Sequence, residues 1–452
     1  LSPDALERMR LSRQVLDQAA AQGQSIYGYS TGVGALKRIG LGEQDVDHFN
    51  KMLIRNTRVG QGPRAAHDIV RATLLRLANN LARGAVGTRP ELAELVARAL
   101  NENWELRVRM LGSVGQADLP PMGDLAGQLV ERAGFRLAAG EGLALIDNNS
   151  FSTAVAALSV ADCERLVQTL EAAAALDLEG FAANVATLHP ILRERPYPGL
   201  QSSAARLREL LAGSWLWEPA SARNLQDPIT FRALPQLHGA LRDTLAYTRA
   251  QLSIELNAAQ NNPLVDPEDG SVVSVACFEV LPLAAALDFL RIALAPVLTS
   301  ANERIMKLLH GGFSGLAPGL AAHPELGDDG FTEFGITGQA LAAEARLLAA
   351  PVSFEMASST QAEGIEDRMT MAPLAARRLA EMVGLGERLA TIELVVAARA
   401  VDMRARGPLG KGTQSLYRMV RERIPATPED NPVPADLEPL LELVRSGAVG
   451  AV

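Results

Sequence analysis

Long stretches of apolar residues at helical spacing leave this chain few ways to fold. They recur over 66–84, 90–100, 152–177, 203–212, 234–256, 280–309, 335–350 and 373–403. Several of these stretches approach or exceed 20 residues, and a helix bundle is the natural way to bury them. Ala and Leu dominate, aromatic residues make up only 4%, and β-branched runs are short. The expected class is therefore all-α, with long central helices.

The same composition narrows the function. At 452 residues and 48% hydrophobic, the chain has material for a large core. Its formal net charge is −9 and no basic stripe runs along it, so no nucleic-acid partner is expected. Cys163 and Cys277 are far apart and read as two reduced, buried thiols of a cytoplasmic protein. No Cys/His spacing suits zinc, and none of the six histidines forms an HExxH pair, so no metal is expected. No secretory signal pattern opens the sequence. The most apolar run, LPLAAALDFLRIALAPVLT at 281–299, contains Asp288, Arg291 and Pro296. Those residues are costly at the centre of a bilayer, so the run reads as a core helix and no membrane partner is expected.

Polar stretches punctuate the helical pattern. GPLGKGT (407–413) and PATPEDNPVP (425–434) read as loops, and DNNS (147–150) breaks a helix. Others carry candidate chemistry. YGYSTGVG (27–34) puts Tyr27 and Tyr29 among turn-forming glycines, but it is not a phosphate fingerprint and reads first as a flexible loop. QDPITFR (226–232) carries Gln226, Asp227 and Arg232; a guanidinium there can grip a carboxylate or make a surface ion pair. SSTQAEGIEDRMTM (358–371) carries Glu366, Asp367 and Arg368, a cluster that is usually a capped helix start. GSVGQADLPPMGDLAG (112–127) brackets a short polar trio with glycines and then enters a helix.

Together these stretches resemble the histidine and phenylalanine ammonia-lyase family over nearly the whole chain. The resemblance rests on eleven segments in the family's order: YGYSTGVG, RLANNLARGAVGTRPE (76–91), GSVG with DLPPM (118–122), EGLALIDNNSFSTA (141–154), RPYPG (195–199), LQDPITFR, PQLHGA (235–240), NNPL (261–264), ANERI (301–305), IEDRMTM and IELVVAARAVDMR (392–404). It implies an ammonia-lyase-like fold and a homotetramer whose sites draw residues from three subunits. It implies one unit over 1–452, with active-site loops in 1–155 and the long-helix bundle and C-terminal helices in 156–452. By position, Tyr27 matches the family's catalytic base, Arg232 its carboxylate-binding arginine and Glu366 its glutamate near the amine. Gln226 matches a glutamine of the same pocket and Phe278 a phenylalanine beside the electrophile.

The departures are as informative. Family lyases carry Ala-Ser-Gly after GSVG, and the tripeptide cyclises to an electrophilic methylidene-imidazolone. Here GSVG is followed by Gln116, Ala117 and Asp118. Cyclisation needs the glycine nitrogen and dehydration needs the serine hydroxyl, so no such cofactor is expected. Supporting positions change too: Asp147 stands for the Asn of Leu-Asn-Gly-Thr, Thr57 for a pocket histidine and Ile229 for a loop tyrosine. Cys277-Phe278-Glu279 stands for Asn-Phe-His. Asp118, Asp147 and Glu279 thus join Glu366, an acidic set suited to a substrate with a permanent cation.

A trimethylammonium group leaves as a neutral amine and needs no electrophile. The sequence resembles the branch of the family typified by ergothionase, which eliminates trimethylamine in that way. The expected substrate is a small amino-acid-like betaine. Arg232 would hold its carboxylate, Tyr27 would remove the β-proton, and Glu366 would contact the heteroaromatic ring. Gln116, Thr57 and Gln226 would complete the pocket. Phe278, Tyr29 and Phe331 are the aromatic candidates for the cation. Another acid–base reaction in the same pocket, a non-catalytic binding protein, or a lyase rescued by a different electrophile are the competing readings.

Overall fold

The computed structural model describes residues 1–354, 361–426 and 433–452. Parts of two loops read from the sequence, 358–360 and 427–432, lie outside the described residues. In chain order the elements begin with α1 (Pro3–Ala21), α2 (Val46–Thr57), β1 (Gln61–Arg64), α3 (His67–Ala82), α4 (Pro90–Asn101), β2 (Arg109–Leu111), α5 (Leu119–Ala133) and α6 (Glu141–Ile146). Then come α7 (Ser150–Phe181), α8 (Pro198–Leu210), the single turn α9 (Ile229–Arg232), α10 (Leu234–Asn257), β3 (Leu264–Asp266), β4 (Ser271–Val273) and α11 (Leu281–Leu309). The chain finishes with the single turn α12 (Gly311–Ser314), α13 (Thr332–Leu348), α14 (Ala372–Arg404), α15 (Lys411–Arg423) and α16 (Glu438–Arg445).

The fold is helical, as the spacing predicts. All eight periodic stretches are helices, although α8 begins five residues before the expected 203 and α7 runs four residues beyond 177. Local chemistry sets several of those ends. The Ser2 hydroxyl accepts from the Ala5 N–H at 3.2 Å, and Pro3 opens the first turn of α1, where its missing N–H costs nothing. α5 starts on Leu119-Pro120-Pro121 and stops at Gly134, whose φ of 59° is left-handed. GPLGKGT is shorter as a loop than expected, because α15 already begins at Lys411.

The chain divides into two compact units. The first contains 1–158, 249–288 and 351–377. In it α3 packs on α4, and α2, α5 and α6 pack on one another around Met122, Leu125, Leu129, Leu145 and Ile146. β1 pairs with β2, Gln61 opposite Leu111, which brings the end of α2 beside the segment that follows β2. β3 pairs with β4 in a hairpin that returns the chain from Asn262 to 275–279.

The second unit contains 159–248, 289–350 and 378–452. Its core is aliphatic, with Phe181 stacked on Phe231 at 4.1 Å between centroids. A cluster of three charged groups sits inside it. Arg304 donates from Nε to Asp177 Oδ2 at 2.8 Å and from Nη2 to Glu393 Oε1 at 2.5 Å, and all three side chains are fully buried. Burial, then the Glu393 charge, hold the Asp177 carboxyl well above the carboxylate range.

α11 is the one described helix long and apolar enough to cross a membrane. Its charged residues have protein partners, as a core helix requires. Asp288 Oδ2 accepts the Val352 and Ser353 N–H groups at 2.8 Å each, and Arg291 Nη1 donates to the carbonyl of Ala350 at 3.0 Å. Cys163 is buried as expected, but Cys277 is exposed on the chain between β4 and α11.

Removing the cation from the Arg304 cluster should be costly. Arg304→Met leaves two buried acids without it and should lower stability by about 3–5 kcal/mol, read as an earlier urea midpoint. An unchanged midpoint would show that the cluster contributes nothing net.

Candidate active site

In the first unit, helix ends and short strands converge on a cavity of about 380 Å³. Tyr27 arrives on a tight turn in which the Ile26 carbonyl accepts the N–H groups of Tyr29, Ser30 and Thr31. Gly28 holds a φ of 68° there, and a Cβ at that position would strike Leu143. Thr57 closes α2. Asp147 caps the end of α6, where DNN interrupts the helix before α7. Phe278 and Glu279 precede α11, and Glu366 follows the turn at 361–364. With Gln116, all of these line the cavity.

The loop 112–118 is firmly tied. Thr370 Oγ1 donates to the Gly115 carbonyl at 3.0 Å and the Met371 N–H to the Val114 carbonyl at 2.9 Å. Gly115 holds a φ of 87°, and an added Cβ would strike Thr370 Oγ1. Gln116 forms a backbone bridge with Glu279, and its Nε2 donates to Glu279 Oε2 at 3.4 Å.

Asp147, Glu366 and Tyr27 are disturbed together. Asp147 is 8% exposed, and the Asn262 N–H donates to its Oδ2 at 2.9 Å. Burial pushes its pKa up to about 7; the Asn262 bond opposes the rise and the Glu366 charge adds to it. Burial also raises Glu366. The Gly34 N–H donates to the Tyr27 hydroxyl at 2.7 Å, which favours tyrosinate. Burial outweighs that bond, and the charges of Asp147 and Glu366 push the same way, so Tyr27 lies above the ordinary phenol value. By themselves the surrounding groups thus work against a tyrosine base.

Several expected residues sit differently. Asp118 does not line the cavity. It is fully buried, and its carboxylate accepts the Ser152 N–H at 2.7 Å, the Ser152 hydroxyl at 2.8 Å and the Ser113 hydroxyl at 2.9 Å. It pins the loop to the start of α7 instead of facing a ligand. Glu279 lines the cavity, but its Oε1 accepts the Leu281 N–H at 3.0 Å and so caps α11. Thr57 spends its hydroxyl proton on the carbonyls of Leu53 and Ile54.

Gln226 and Arg232 belong to the second unit and are not among the lining residues. Gln226 is exposed, and Arg232 is half-buried with its Nε donating to the Asp227 carbonyl at 2.7 Å. Of the three aromatic candidates only Phe278 lines the cavity. Tyr29 bonds Asp17 at 2.7 Å, and Phe331 packs edge-on against Phe334 in the second unit.

Sequence reasoning missed Asn262 and Arg368, which also line the cavity. NNPL and IEDRM were both visible as segments. Only the fold shows that the Asn262 N–H meets Asp147, and that Arg368 turns toward the cavity and not a helix start.

The geometry brings a tyrosine and two desolvated carboxyl groups together around one small cavity at the ends of helices. The chain matches the aromatic amino acid lyase family over residues 1–422, and it belongs to that family of carbon–nitrogen lyases. It is 34% identical to a histidine ammonia-lyase of Stigmatella aurantiaca over 99% of this chain and 92% of that protein. It is also similar to an ergothioneine-degrading ergothionase from Treponema denticola, solved with desmethyl-ergothioneine sulfonic acid: TM-score 0.92, 29% identity, 99% of this chain and 94% of that one. A Trypanosoma cruzi histidine ammonia-lyase structure gives a TM-score of 0.89 at 28% identity, covering 99% and 89%.

Asp118 supplies a stability test. Burial pushes its pKa up to about 6, above the ordinary carboxylate value. The folded state therefore binds more protons than the unfolded chain between those values, so this group's contribution to stability falls as pH rises through that window. Asp118→Asn should remove that part of the decline, checked by denaturation from pH 4 to 7. Parallel curves for the two proteins would contradict the assignment.

Proposed function

We propose that the protein eliminates a tertiary amine, trimethylamine, from the betaine of an aromatic or heteroaromatic amino acid, without a methylidene-imidazolone group. The observation that carries this reading is Tyr27, Asp147 and Glu366 around one cavity, beside a loop without Ala-Ser-Gly.

The family's prosthetic group does not fit this loop. Gln116, Ala117 and Asp118 follow GSVG where the family has Ala-Ser-Gly, so both the serine hydroxyl and the glycine nitrogen needed for ring closure are missing. The Ser113 hydroxyl is held by Asp118 and itself accepts the Gly115 N–H at 3.1 Å. No step is therefore routed through that group.

The chemistry falls to the chain's own residues. Tyr27 takes the β-proton as tyrosinate. The C–H pair becomes the new double bond, and the Cα–N pair leaves on nitrogen as a neutral amine. A permanent cation bound beside Asp147 and Glu366 offsets the charges that raise Tyr27, so the substrate itself prepares the base. Phe278 offers its ring to the methyl groups. Arg232 and Gln226 bind the carboxylate end, supplied by another subunit of a homotetramer; exposed Tyr247, Phe289, Ile292 and Leu347 support such an assembly.

Tyr27→Phe should slow release roughly a hundred- to ten-thousand-fold while retaining betaine binding. Asp147→Asn should raise KM for the cation. It also removes a negative neighbour of Tyr27, so the rising limb of the pH–rate profile should move to lower pH. Gas chromatography of released amine across pH reads both. Full activity of Tyr27→Phe would overturn the assignment of the base. Turnover confined to uncharged substrates would favour a different acid–base reaction.

A further inference from the structure

A second cavity, of about 330 Å³, adjoins the first. The two share Thr57, Gln116, Leu119, Glu366 and Arg368 in their linings. Gln116 and Leu119 stand at the two ends of the short segment that runs from the tied loop into α5, so that segment is a common wall. Its position is fixed by the Thr370 bond to Gly115 on one side and the Asp118 bonds to Ser152 on the other.

The two chambers differ in chemistry. The first holds Tyr27, Asp147 and Phe278. The second has none of these. It is lined instead by Val59, Val114, Ala117, Pro120 and Met369, with Asn56 and Ser113 as its own polar members. Its outer rim is exposed: Val59 is 59% and Val114 40% accessible. It is thus a space of mixed lining, with five apolar residues of its own and both Glu366 and Arg368 where it meets the first cavity.

We infer that this second chamber receives the alkylated amine released from the first cavity, with Gln116 and Leu119 as the partition it passes. The inference rests on the proposed elimination and deepens it. A methylated amine suits the space through its methyl groups, which gain from the apolar walls at about fourfold in affinity per methyl. Its charge meets Glu366 and Arg368 together, and the two offset each other. Ammonia has no methyl groups to bury, so the chamber selects for a substituted leaving group. Moving the amine past the wall also separates it from the new double bond and prevents its return.

The test uses Val59→Trp and Val114→Phe, which fill the second chamber from residues outside the first. Binding of trimethylammonium chloride and ammonium chloride is measured by saturation-transfer NMR, and turnover of a betaine is followed in parallel. Trimethylammonium should bind the wild type more tightly than ammonium. Each variant, with wild-type circular dichroism, should weaken that binding tenfold or more. Steady-state turnover should fall while the first turnover keeps its rate. Equal affinity for the two amines, or wild-type affinity in both variants, would overturn the inference. Variant-sensitive amine binding without turnover of any betaine would sink the proposed elimination and leave the chamber standing. Betaine turnover with amine binding unaffected in both variants would do the reverse.

Discussion

Removing carboxyl groups from water is the constraint around which the site is organised. Asp147 is held at about 7 by burial and by Glu366, so keeping it ionised above that pH costs on the order of 4 kcal/mol relative to an ordinary carboxylate. The same desolvation raises Glu366 and Tyr27. A cation in the cavity opposes all three shifts. On the proposed reading, the charge of the substrate therefore stabilises the site and makes Tyr27 available as the base.

The surrounding structure serves that arrangement by rigidity. Every acid that borders the cavity sits at a helix end or on a short tied segment. The Asn262 N–H fixes Asp147, and the Asn262 side chain in turn accepts the Val275 N–H at 3.0 Å. Gln260 binds the Asn149 N–H at 3.0 Å and is itself held by Asn80. Such supporting bonds hold the side chains around the cavity in place. The second unit holds a comparable cluster in its interior, where Arg304 bonds both Asp177 and Glu393 inside an aliphatic core.

Much of this was legible in the sequence, for physical reasons. Helical period is written residue by residue, so the eight long helices could be read directly. The amphipathic α2, α5 and α15, and α1 with its capping Ser2, escaped because their apolar stripes are shorter or interrupted. Tyr27, Asp147, Phe278 and Glu366 could be named from ordered motifs. Their electrostatics could not, because a pKa depends on burial and on neighbours far away in sequence. Asp118 shows the limit most clearly. Its residue type suggested a ligand contact, whereas Ser152, 34 positions later, claims its carboxylate. Cys277 likewise gave no sign that it would be exposed.

The central claim is that a cationic leaving group replaces the family's electrophile. The most direct measurement offers one protein sample an aromatic amino acid and its N-trimethyl betaine, with intact mass recorded on the same sample. The account predicts an unmodified mass, trimethylamine from the betaine, and no ammonia from the parent amino acid. Ammonia release from the parent amino acid, or a mass showing loss of water from the chain, would contradict it.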